Sequence, residues 1–277
     1  MEVKFNNVSY VSNKKQIIDN FNIELKEGKI NGFIGPNGSG KTTIVQMING
    51  RIYPTKGDIM IEKFKIKSNK NDDNIKNLYL NISTMGQHLE EHFFCESVQK
   101  ELTLSLESYN YRKEKIDKHI KDAIKMVGLS EKYLSRDPLE LSSSEMRKVM
   151  LAKGLAINPK ILILDEPSIG LDAEDKRELI KLLKTIKRRY NKTIIIISQD
   201  IEFIHQLVDY LFVFKDGKIL IEGDKYEVFK QRELLERNGI QIPKIIQFEL
   251  LVLNNKNIKL GFREEINDLI KDILRNI

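Results

Sequence analysis

The stretch Gly35-Pro36-Asn37-Gly38-Ser39-Gly40-Lys41-Thr42, followed by Thr43, decides the fold. A glycine, four free positions and then Gly-Lys-Thr form the pattern of a phosphate-binding loop. The glycines let the backbone curl tightly, so that successive N–H groups point at one anionic group. Lys41 is placed to reach the β- and γ-phosphates, and the Thr42 hydroxyl is placed to ligate Mg²⁺. The stretch therefore predicts the binding of a nucleoside triphosphate.

The residues on either side of this loop supply the context that the pattern requires. The short apolar run from Ile30 to Ile34 predicts a strand, and Lys41 to Asn49 predicts a helix that Gly50 and Pro54 close. The loop thus precedes a helix N-terminus, where the macrodipole favours negative charge. A chance glycine-rich turn is the alternative, and it would not need a strand–loop–helix setting.

The composition is that of a globular protein, with 41% hydrophobic and 31% charged residues. The 277 residues leave room for one large domain or two smaller ones. An excess of 46 Lys and Arg over 40 Asp and Glu is compatible with an anionic membrane surface or a nucleic acid as neighbour, and equally with a solvated, slightly basic surface.

Cysteine content and hydropathy predict the compartment. The single cysteine, Cys95, excludes an internal disulfide and suits a reducing environment. No stretch approaches the ~18 apolar residues that a membrane span requires, and the N-terminus has no apolar signal segment. We expect a cytoplasmic protein whose role at a membrane would come through a partner.

The pattern of apolar residues predicts strands before and after the phosphate-binding loop, and a hairpin later in the chain. Residues 1–34 alternate apolar and polar side chains, with predicted turns at Asn6-Asn7, Asn13 and Glu27-Gly28. Gly57 to Ile66 predicts a further strand pair, and the Asn/Lys/Asp-rich run from Ser68 to Asn77 predicts an exposed loop. Tyr210 to Glu222 predicts a hairpin that turns at Asp216-Gly217.

Helices are predicted for most of the remaining chain. No strand-like run interrupts residues 96–154, which we interpret as a helical subdomain inserted between two halves of a sheet. The uninterrupted apolar runs Ile161–Leu164 and Thr193–Ile197 are typical of strands buried on both faces of a parallel sheet. Ala173 to Tyr190 between them has one apolar helix face, and the tail from about Tyr226 is mostly helical with a break at Pro243.

Two carboxylates follow the first buried run, at Asp165-Glu166. The carboxyl end of a strand lies at the ligand edge of an α/β sheet. We expect Asp165 to hold the Mg²⁺ coordination shell and Glu166 to orient the water that attacks the γ-phosphate. Two solvated acids at a strand end are the alternative. The histidines, by contrast, have no spacing that indicates a metal site.

With these motifs in this order, the chain resembles the ATP-binding cassette (ABC) ATPases over nearly its whole length. The resemblance implies an α/β P-loop NTPase fold with an N-terminal antiparallel β subdomain, an inserted helical subdomain at about residues 96–154 and a C-terminal helical tail. It implies an ATPase domain over residues 1–225, and a helical extension over residues 226–277 with a possible role in dimerisation. The implied cofactors are ATP and Mg²⁺.

The resemblance also assigns residues outside the phosphate-binding loop. Tyr10 matches the aromatic residue that stacks on adenine in this family, although an ordinary strand aromatic explains it equally well. Gln87 matches the glutamine that contacts Mg²⁺ and the attacking water. Asp172, in Gly170-Leu171-Asp172, matches the turn that crosses the dimer interface.

Two segments depart from the family pattern. The signature, normally Leu-Ser-Gly-Gly-Gln, is Leu141-Ser142-Ser143-Ser144-Glu145 here. In the family it caps the γ-phosphate of ATP held by the opposite subunit. Ser142 keeps the hydroxyl donor, but the two following serines add bulk near phosphate, and Glu145 adds a carboxylate where an amide is usual. We expect binding across the interface to be weakened.

The second departure is Gln199, which occupies the position of the family's switch histidine. A glutamine amide donates a hydrogen bond but carries no titrating proton near neutral pH. One interpretation is that hydrolysis is impaired. The other is that glutamine is tolerated because the histidine mainly supplies a hydrogen bond.

Local stretches resemble one branch of the family, the energy-coupling factor transporter ATPases. Phe94, Val98 and Glu101 match a Phe-x-x-x-Val-x-x-Glu/Asp run of that branch, and Glu145-Met-Arg-Lys-Val149 is similar to its Gln-Met-Arg-Arg-Val. The resemblance implies import of a vitamin or metal ion. The implied partners are a second ABC ATPase subunit, a transmembrane coupling subunit and a substrate-binding membrane subunit.

The unusual residues favour a heterodimer with a more regular paralogue, because a homodimer would carry both departures in both sites. The subunit would lie at the cytoplasmic face of the membrane, where a groove beside Gln87 and Phe93-Phe94 would receive the transmembrane partner; the aromatic pair is equally explained by core packing.

A binding-only regulatory subunit is one rival to this function. Soluble ABC ATPases of translation or DNA maintenance are another, but those carry two cassettes or a long coiled coil. No nucleic acid partner is expected.

Overall fold

The computed structural model describes residues 1–68, 78, 80–256, 263 and 266–276. Its strands are β1 Val3–Ser12, β2 Lys15–Glu24, β3 Ile30–Ile34, β4 Lys56–Ile61, β5 Phe64–Ile66, β6 Ile82–Met85, β7 Ile161–Asp165, β8 Thr193–Ile197, β9 Tyr210–Lys215 and β10 Lys218–Asp224. The predicted loop from Ser68 to Asn77 lies outside the described residues apart from Ser68 itself.

Helices occupy most of the chain between and after the strands. They are α1 Lys41–Ile48, α2 Val98–Ser108, α3 Lys113–Met126, α4 Ser143–Ala156, α5 Ala173–Tyr190, α6 Ile201–Leu207, α7 Lys225–Phe229, α8 Arg232–Arg237, α9 Lys244–Lys256 and α10 Ile266–Asn276. In the part of the chain described here, none of them is long and apolar enough to cross a membrane.

Four strands form an antiparallel sheet in the order β2-β1-β4-β5. The predicted turn at Asn6-Asn7 is wrong, because β1 continues through both residues as a single bulged strand. Asn7 takes a φ of 50°, and a Cβ on the facing Gly57 would lie 2.3 Å from the Asn7 carbonyl oxygen. The bulge thus uses the left-handed conformation that asparagine tolerates, which explains why the sequence suggested a turn.

Six strands form the second sheet in the order β10-β9-β3-β8-β7-β6. Its strands run parallel from β9 to β6, and β10 joins β9 in the predicted antiparallel hairpin. The run Ile161–Leu164 of β7 and every residue of β8 are buried, as the uninterrupted apolar runs predicted, and β3 is buried throughout as well. The α/β fold class predicted from the sequence is confirmed.

The chain between β6 and β7 is helical, as predicted. Helices α2, α3 and α4 pack on one another through buried apolar side chains that include Leu102, Ile120 and Val149. The tail is also helical and is joined to the same core, because Ile240, Ile242 and Ile246 are buried in it. The predicted division into residues 1–225 and 226–277 stays a prediction.

A buried carboxylate ties the helical insertion to the segment that follows β6. One oxygen of the fully buried Glu101 accepts from the backbone N–H groups of Phe94 and Cys95, and the other accepts from Lys153 Nζ at 2.7 Å. Lys153 Nζ also donates to the His92 carbonyl at 2.8 Å. Burial disfavours the ionised form, but these hydrogen bonds outweigh it and hold the pKa of Glu101 below its usual range.

Lys153→Ala should strongly destabilise the fold, because it leaves the buried Glu101 carboxylate without its cation. We expect a loss of about 3 kcal/mol in the free energy of unfolding, measured by urea denaturation at pH 7. Lys100→Ala is the matched control, since Lys100 pairs with Glu96 at an exposed site. The difference between Lys153→Ala and wild type should shrink as the pH falls below the usual glutamate range, through the lowered pKa at which Glu101 of the native protein becomes protonated. Equal unfolding midpoints for the two variants would contradict this role.

Candidate functional site

Parallel pairing brings the predicted site residues to one edge of the six-stranded sheet. Phe33, Ile197 and Asp165 stand abreast on β3, β8 and β7, because Ile197 is the register partner of both others. Each strand ends within a residue of this line. The phosphate-binding loop, Glu166 and the Ser198-Gln199 pair therefore leave the sheet side by side, as expected for a ligand edge.

The phosphate-binding loop adopts a backbone that its glycines make possible. Gly35, Gly38 and Gly40 have φ values of 144°, 74° and 101°. A Cβ on Gly35 would lie 2.2 Å from the Phe214 carbonyl oxygen, and one on Gly40 would lie 2.5 Å from Ile18 Cδ1. The first and last glycines are thus required by close packing as well as by conformation.

Lys41 is buried and its ammonium lies within the loop. It donates to the carbonyls of Gly35 at 2.7 Å and Pro36 at 2.9 Å, and to Ser39 Oγ at 3.2 Å. Burial lowers the pKa of Lys41, while the charges of Glu166 and Asp165 act in the opposite direction. The loop thus holds a partly desolvated cation next to the position where the sequence predicted a bound phosphate.

Asp165 and Glu166 form the acidic side of the same site. Burial raises the pKa of both carboxyls, and the Lys41 charge opposes this shift in each case. Glu166 has a φ of 49°, which is uncommon for a residue other than glycine, asparagine or aspartate. Its backbone N–H donates to the Ile197 carbonyl at 2.8 Å, so this conformation continues the β7–β8 pairing by one residue.

Ser198 and Gln199 hold the Glu166 side chain from the neighbouring strand. Ser198 Oγ donates to one carboxylate oxygen at 2.9 Å, and the Gln199 backbone N–H donates to the other at 2.9 Å. The Gln199 side-chain amide donates to Asn37 Oδ1 in the phosphate-binding loop at 3.0 Å. Sequence reasoning missed Ser198, although a hydroxyl directly after a buried parallel strand was a usable signal.

An all-oxygen set of donors lies at this edge. Gln87 is exposed two residues beyond β6, whose last residue pairs with Leu164, the neighbour of Asp165. Thr42 is exposed at the start of α1. A carboxylate, a hydroxyl and an amide oxygen are hard ligands that suit Mg²⁺. Within the described residues, no group of three or more His, Cys, Asp and Glu side chains is arranged to hold a metal ion.

Tyr10 is linked to the phosphate-binding loop through its strand partner, Ile18. It pairs with Ile18 across β1 and β2, and Ile18 is the residue whose side chain packs on Gly40. Tyr10 is partly exposed and also packs against the apolar core beneath the antiparallel sheet. Both interpretations of this aromatic ring, stacking on adenine and strand packing, therefore stay open.

Ser142 and Asp172 each cap a helix. Ser142 precedes α4 and forms a capping box with Glu145, and Asp172 precedes α5 and accepts from the N–H groups of Glu174 and Asp175 at 2.8 Å. Their hydrogen bonds run within their own segments. Nothing in the described residues joins either cap to the phosphate-binding loop of the same chain.

Arg147 joins the helix that Ser142 caps to the turn that carries Asp172, and sequence reasoning gave it no role. It is buried on α4, and Nη2 donates to the Ile169 carbonyl at 2.7 Å, just before the Gly170–Asp172 turn. Burial lowers the pKa of Arg147. The helix that carries the signature and the turn that precedes α5 are thus fastened together.

Comparison with known proteins gives the same family as the motifs. A family model described as ABC transporter matches residues 18–169. The energy-coupling factor transporter ATP-binding protein EcfA2 of Spiroplasma kunkelii is 34% identical over 288 aligned positions, which cover 100% of this chain and 93% of that protein. EcfA2 of Streptococcus agalactiae is 31% identical over 253 positions, with 90% of each chain covered.

Solved structures agree. CbiO1 from Clostridium perfringens, part of the ABC transporter complex cbiONQ, superposes with a TM-score of 0.77 at 28% identity, covering 89% of this chain and 97% of that one. A dimeric ATP-binding cassette in a post-hydrolysis state, bound to ADP and Pi, gives a TM-score of 0.69 at 27% identity, covering 80% and 98%.

Ser198→Ala should shift the pH dependence of ATP hydrolysis. The Ser198 hydroxyl stabilises the ionised form of Glu166, so its loss should raise the Glu166 pKa further above the ordinary glutamate value. If Glu166 activates the attacking water, as the sequence predicts, it must be ionised to do so, and we expect the acidic limb of the kcat/KM profile to move to higher pH. Ser108→Ala, which removes an exposed hydroxyl bonded to the Ser105 carbonyl, is the control. An unchanged limb would show that the Ser198 hydroxyl does not control the ionisation of a group needed for turnover.

Proposed function

Because the chain belongs to the ABC transporter family, and to the branch of energy-coupling factor ATP-binding proteins within it, we propose that it binds and hydrolyses ATP to drive an importer. The transported substrate would be a vitamin or a metal ion. One observation carries the catalytic part: Glu166 is held by Ser198 and Gln199 at the sheet edge that also presents Lys41. The proposed role of each site residue follows from this arrangement.

The phosphate-binding loop binds the triphosphate through its backbone N–H groups and Lys41. The Lys41 ammonium exchanges its bonds to the Gly35 and Pro36 carbonyls for bonds to phosphate oxygens. This exchange is favourable because burial has removed part of the hydration of the Lys41 ammonium, and charged phosphate oxygens are stronger acceptors than backbone carbonyls. Tyr10 stacks on the adenine ring, next to the loop that Ile18 supports.

Thr42, Gln87 and Asp165 are the residues that would hold Mg²⁺. When bound, the ion neutralises charge on the β- and γ-phosphate oxygens. The raised pKa of the half-buried Asp165 supports this assignment, because a nearby cation stabilises a desolvated carboxylate.

Glu166 orients and polarises the attacking water. Two hydrogen bonds restrict its carboxylate to one orientation, and the left-handed backbone at this residue directs the side chain back to Ser198 and Gln199. Gln199 replaces the family's histidine by supplying a neutral amide donor. Its bond to Asn37 places that amide against the phosphate-binding loop.

The subunit acts at the cytoplasmic face of the membrane, with a second ATPase subunit, a transmembrane coupling subunit and a substrate-binding membrane subunit. The two aromatic residues differ in their surroundings. Phe93 is buried in the core, which fits the core-packing interpretation, whereas Phe94 is 77% exposed and is free to contact a partner. The centroid of the Phe94 ring lies 5.7 Å from Nζ of Lys153, the residue that pairs with the buried Glu101. This exposed aromatic ring beyond Gln87 supports contact with the transmembrane partner.

A hydrolysis-impaired regulatory subunit is the second candidate. Gln199 favours it, because an amide takes no part in proton transfer near neutral pH. The intact arrangement of Lys41, Asp165 and Glu166 favours hydrolysis instead. The two candidates differ in turnover at this chain's own phosphate-binding loop.

Glu166→Gln should abolish turnover while ATP stays bound. Glutamine keeps the shape and one acceptor for Ser198 or Gln199, but it removes the charge that polarises water. We expect kcat to fall by about 10²–10⁴-fold, with ATP retained on the purified transporter complex in a labelled-nucleotide assay. Glu236→Gln, at an exposed pair with Arg232, is the control. Turnover equal to wild type would exclude Glu166 from the reaction and support the regulatory candidate.

Purification of the chain with its partners should yield a heterodimer with unequal ATP sites. One site would combine Glu166 and Gln199 with a regular signature, and the other would combine the partner's histidine with Ser143-Ser144-Glu145. Identification of subunits in a detergent-solubilised complex tests the composition, and separate inactivation of each phosphate-binding loop tests the asymmetry. A homodimer with equal turnover at both sites would overturn the heterodimer, and only soluble partners would overturn the importer.

A further inference from the structure

Glu145 is engaged within the chain, although its sequence position suggested a charge facing phosphate. One carboxylate oxygen accepts from the Tyr133 hydroxyl at 2.6 Å. The other accepts from the Ser142 backbone N–H and the Ser142 hydroxyl, each at 3.0 Å. Ser142 Oγ in turn accepts from the Glu145 backbone N–H at 3.3 Å. Both oxygens are therefore directed at donors of this chain.

Positive charge lies behind the tyrosine. The Arg136 guanidinium is 4.7 Å from the centroid of the Tyr133 ring, which allows a cation–π contact. The hydrogen bonds from Tyr133 and Ser142, together with the Arg136 charge, hold the pKa of Glu145 below its usual range. These contacts favour the ionised form of the signature carboxylate and occupy both of its oxygens.

We propose that Tyr133 is a positioning residue that holds Glu145 in the capping box, so that the signature can approach the ATP of the second ATPase subunit. The inference rests on the proposed function, in which this signature closes the partner's nucleotide site. Without the Tyr133 hydroxyl, one carboxylate oxygen loses its donor and turns towards the interface. A carboxylate there repels the γ-phosphate and weakens closure.

This role separates Tyr133 from an ordinary packing residue. Tyr133 is half-buried, and its hydroxyl is the one donor to Glu145 in the described residues that lies outside the signature. A neutral side chain at position 145 would need no such restraint. The effect of losing the hydroxyl therefore depends on the charge at position 145, whereas a packing effect would not.

The test uses the purified transporter complex and the dependence of ATP turnover on ATP concentration. Tyr133→Phe keeps the ring under Arg136 and removes only the hydroxyl. We expect the KM for ATP to rise by about three- to tenfold, the range for a lost hydrogen bond to a charged group that is partly replaced by water. The kcat should stay within about twofold, since catalytic groups are untouched. In a Glu145→Gln background, the same substitution should leave KM unchanged.

Tyr111→Phe is the matched control. It removes a hydroxyl from the same helical insertion, where Tyr111 donates to the Ile157 carbonyl at 2.9 Å near the far end of α4. Its KM should equal that of wild type. Lys41→Ala, which should abolish binding at this chain's own loop, tests whether the complex hydrolyses ATP at that loop.

Each outcome decides a different claim. An unchanged KM in Tyr133→Phe, or an equal rise with and without Glu145, would overturn the positioning role and leave the proposed function in place. Turnover that Lys41→Ala does not alter would overturn the proposed hydrolysis at this chain's own loop, whereas the Tyr133 role at the partner's site is decided by the Tyr133 and Glu145 variants. A KM rise confined to the Glu145 background would confirm the role of Tyr133.

Discussion

The parallel alignment of β3, β8 and β7 is the constraint on which the site depends. Its register sets Phe33, Ile197 and Asp165 abreast, so the three segments that follow leave the sheet at the same height. A one-residue slip would move every side chain of these buried strands to the opposite face, which disrupts the packing on both sides, and would carry polar residues from the strand ends into the core. The hydrophobic core thus fixes the relative position of Lys41, Glu166 and Gln199, although these three residues are polar and lie at its edge.

Hydrogen bonds across that edge then refine the geometry of the proposed catalytic residues. Glu166 adopts an uncommon backbone conformation, continues the β7–β8 pairing through its N–H, and receives Ser198 and Gln199 on its two carboxylate oxygens. Gln199 reaches the phosphate-binding loop through Asn37. A glutamine in place of a histidine is compatible with this network because each of its contacts requires a donor and none requires a titrating proton.

The signature and the turn at Asp172 are organised differently. Both begin helices, both are satisfied within their own segments, and Arg147 joins the helix of one to the turn of the other. Glu101 and Lys153 fasten the same signature helix to the segment after β6. The helical insertion therefore connects the loop of Gln87, the signature and the Asp172 turn, which is the connection that an interface between two ATPase subunits and a membrane partner would use.

The sequence by itself determined the family, the α/β fold and the phosphate-binding loop, because these depend on local spacing and on uninterrupted apolar runs. It also placed the hairpin at Asp216-Gly217 and the helix from Ala173 to Tyr190. The Asn6-Asn7 turn was wrong because the conformation that asparagine permits is shared by turns and bulges, and only pairing with β2 and β4 distinguishes them. Ser198, Arg147 and Tyr133 emerged only in the tertiary structure. Each acts on a residue that is distant in sequence or lies across a turn, and no local pattern encodes such a contact.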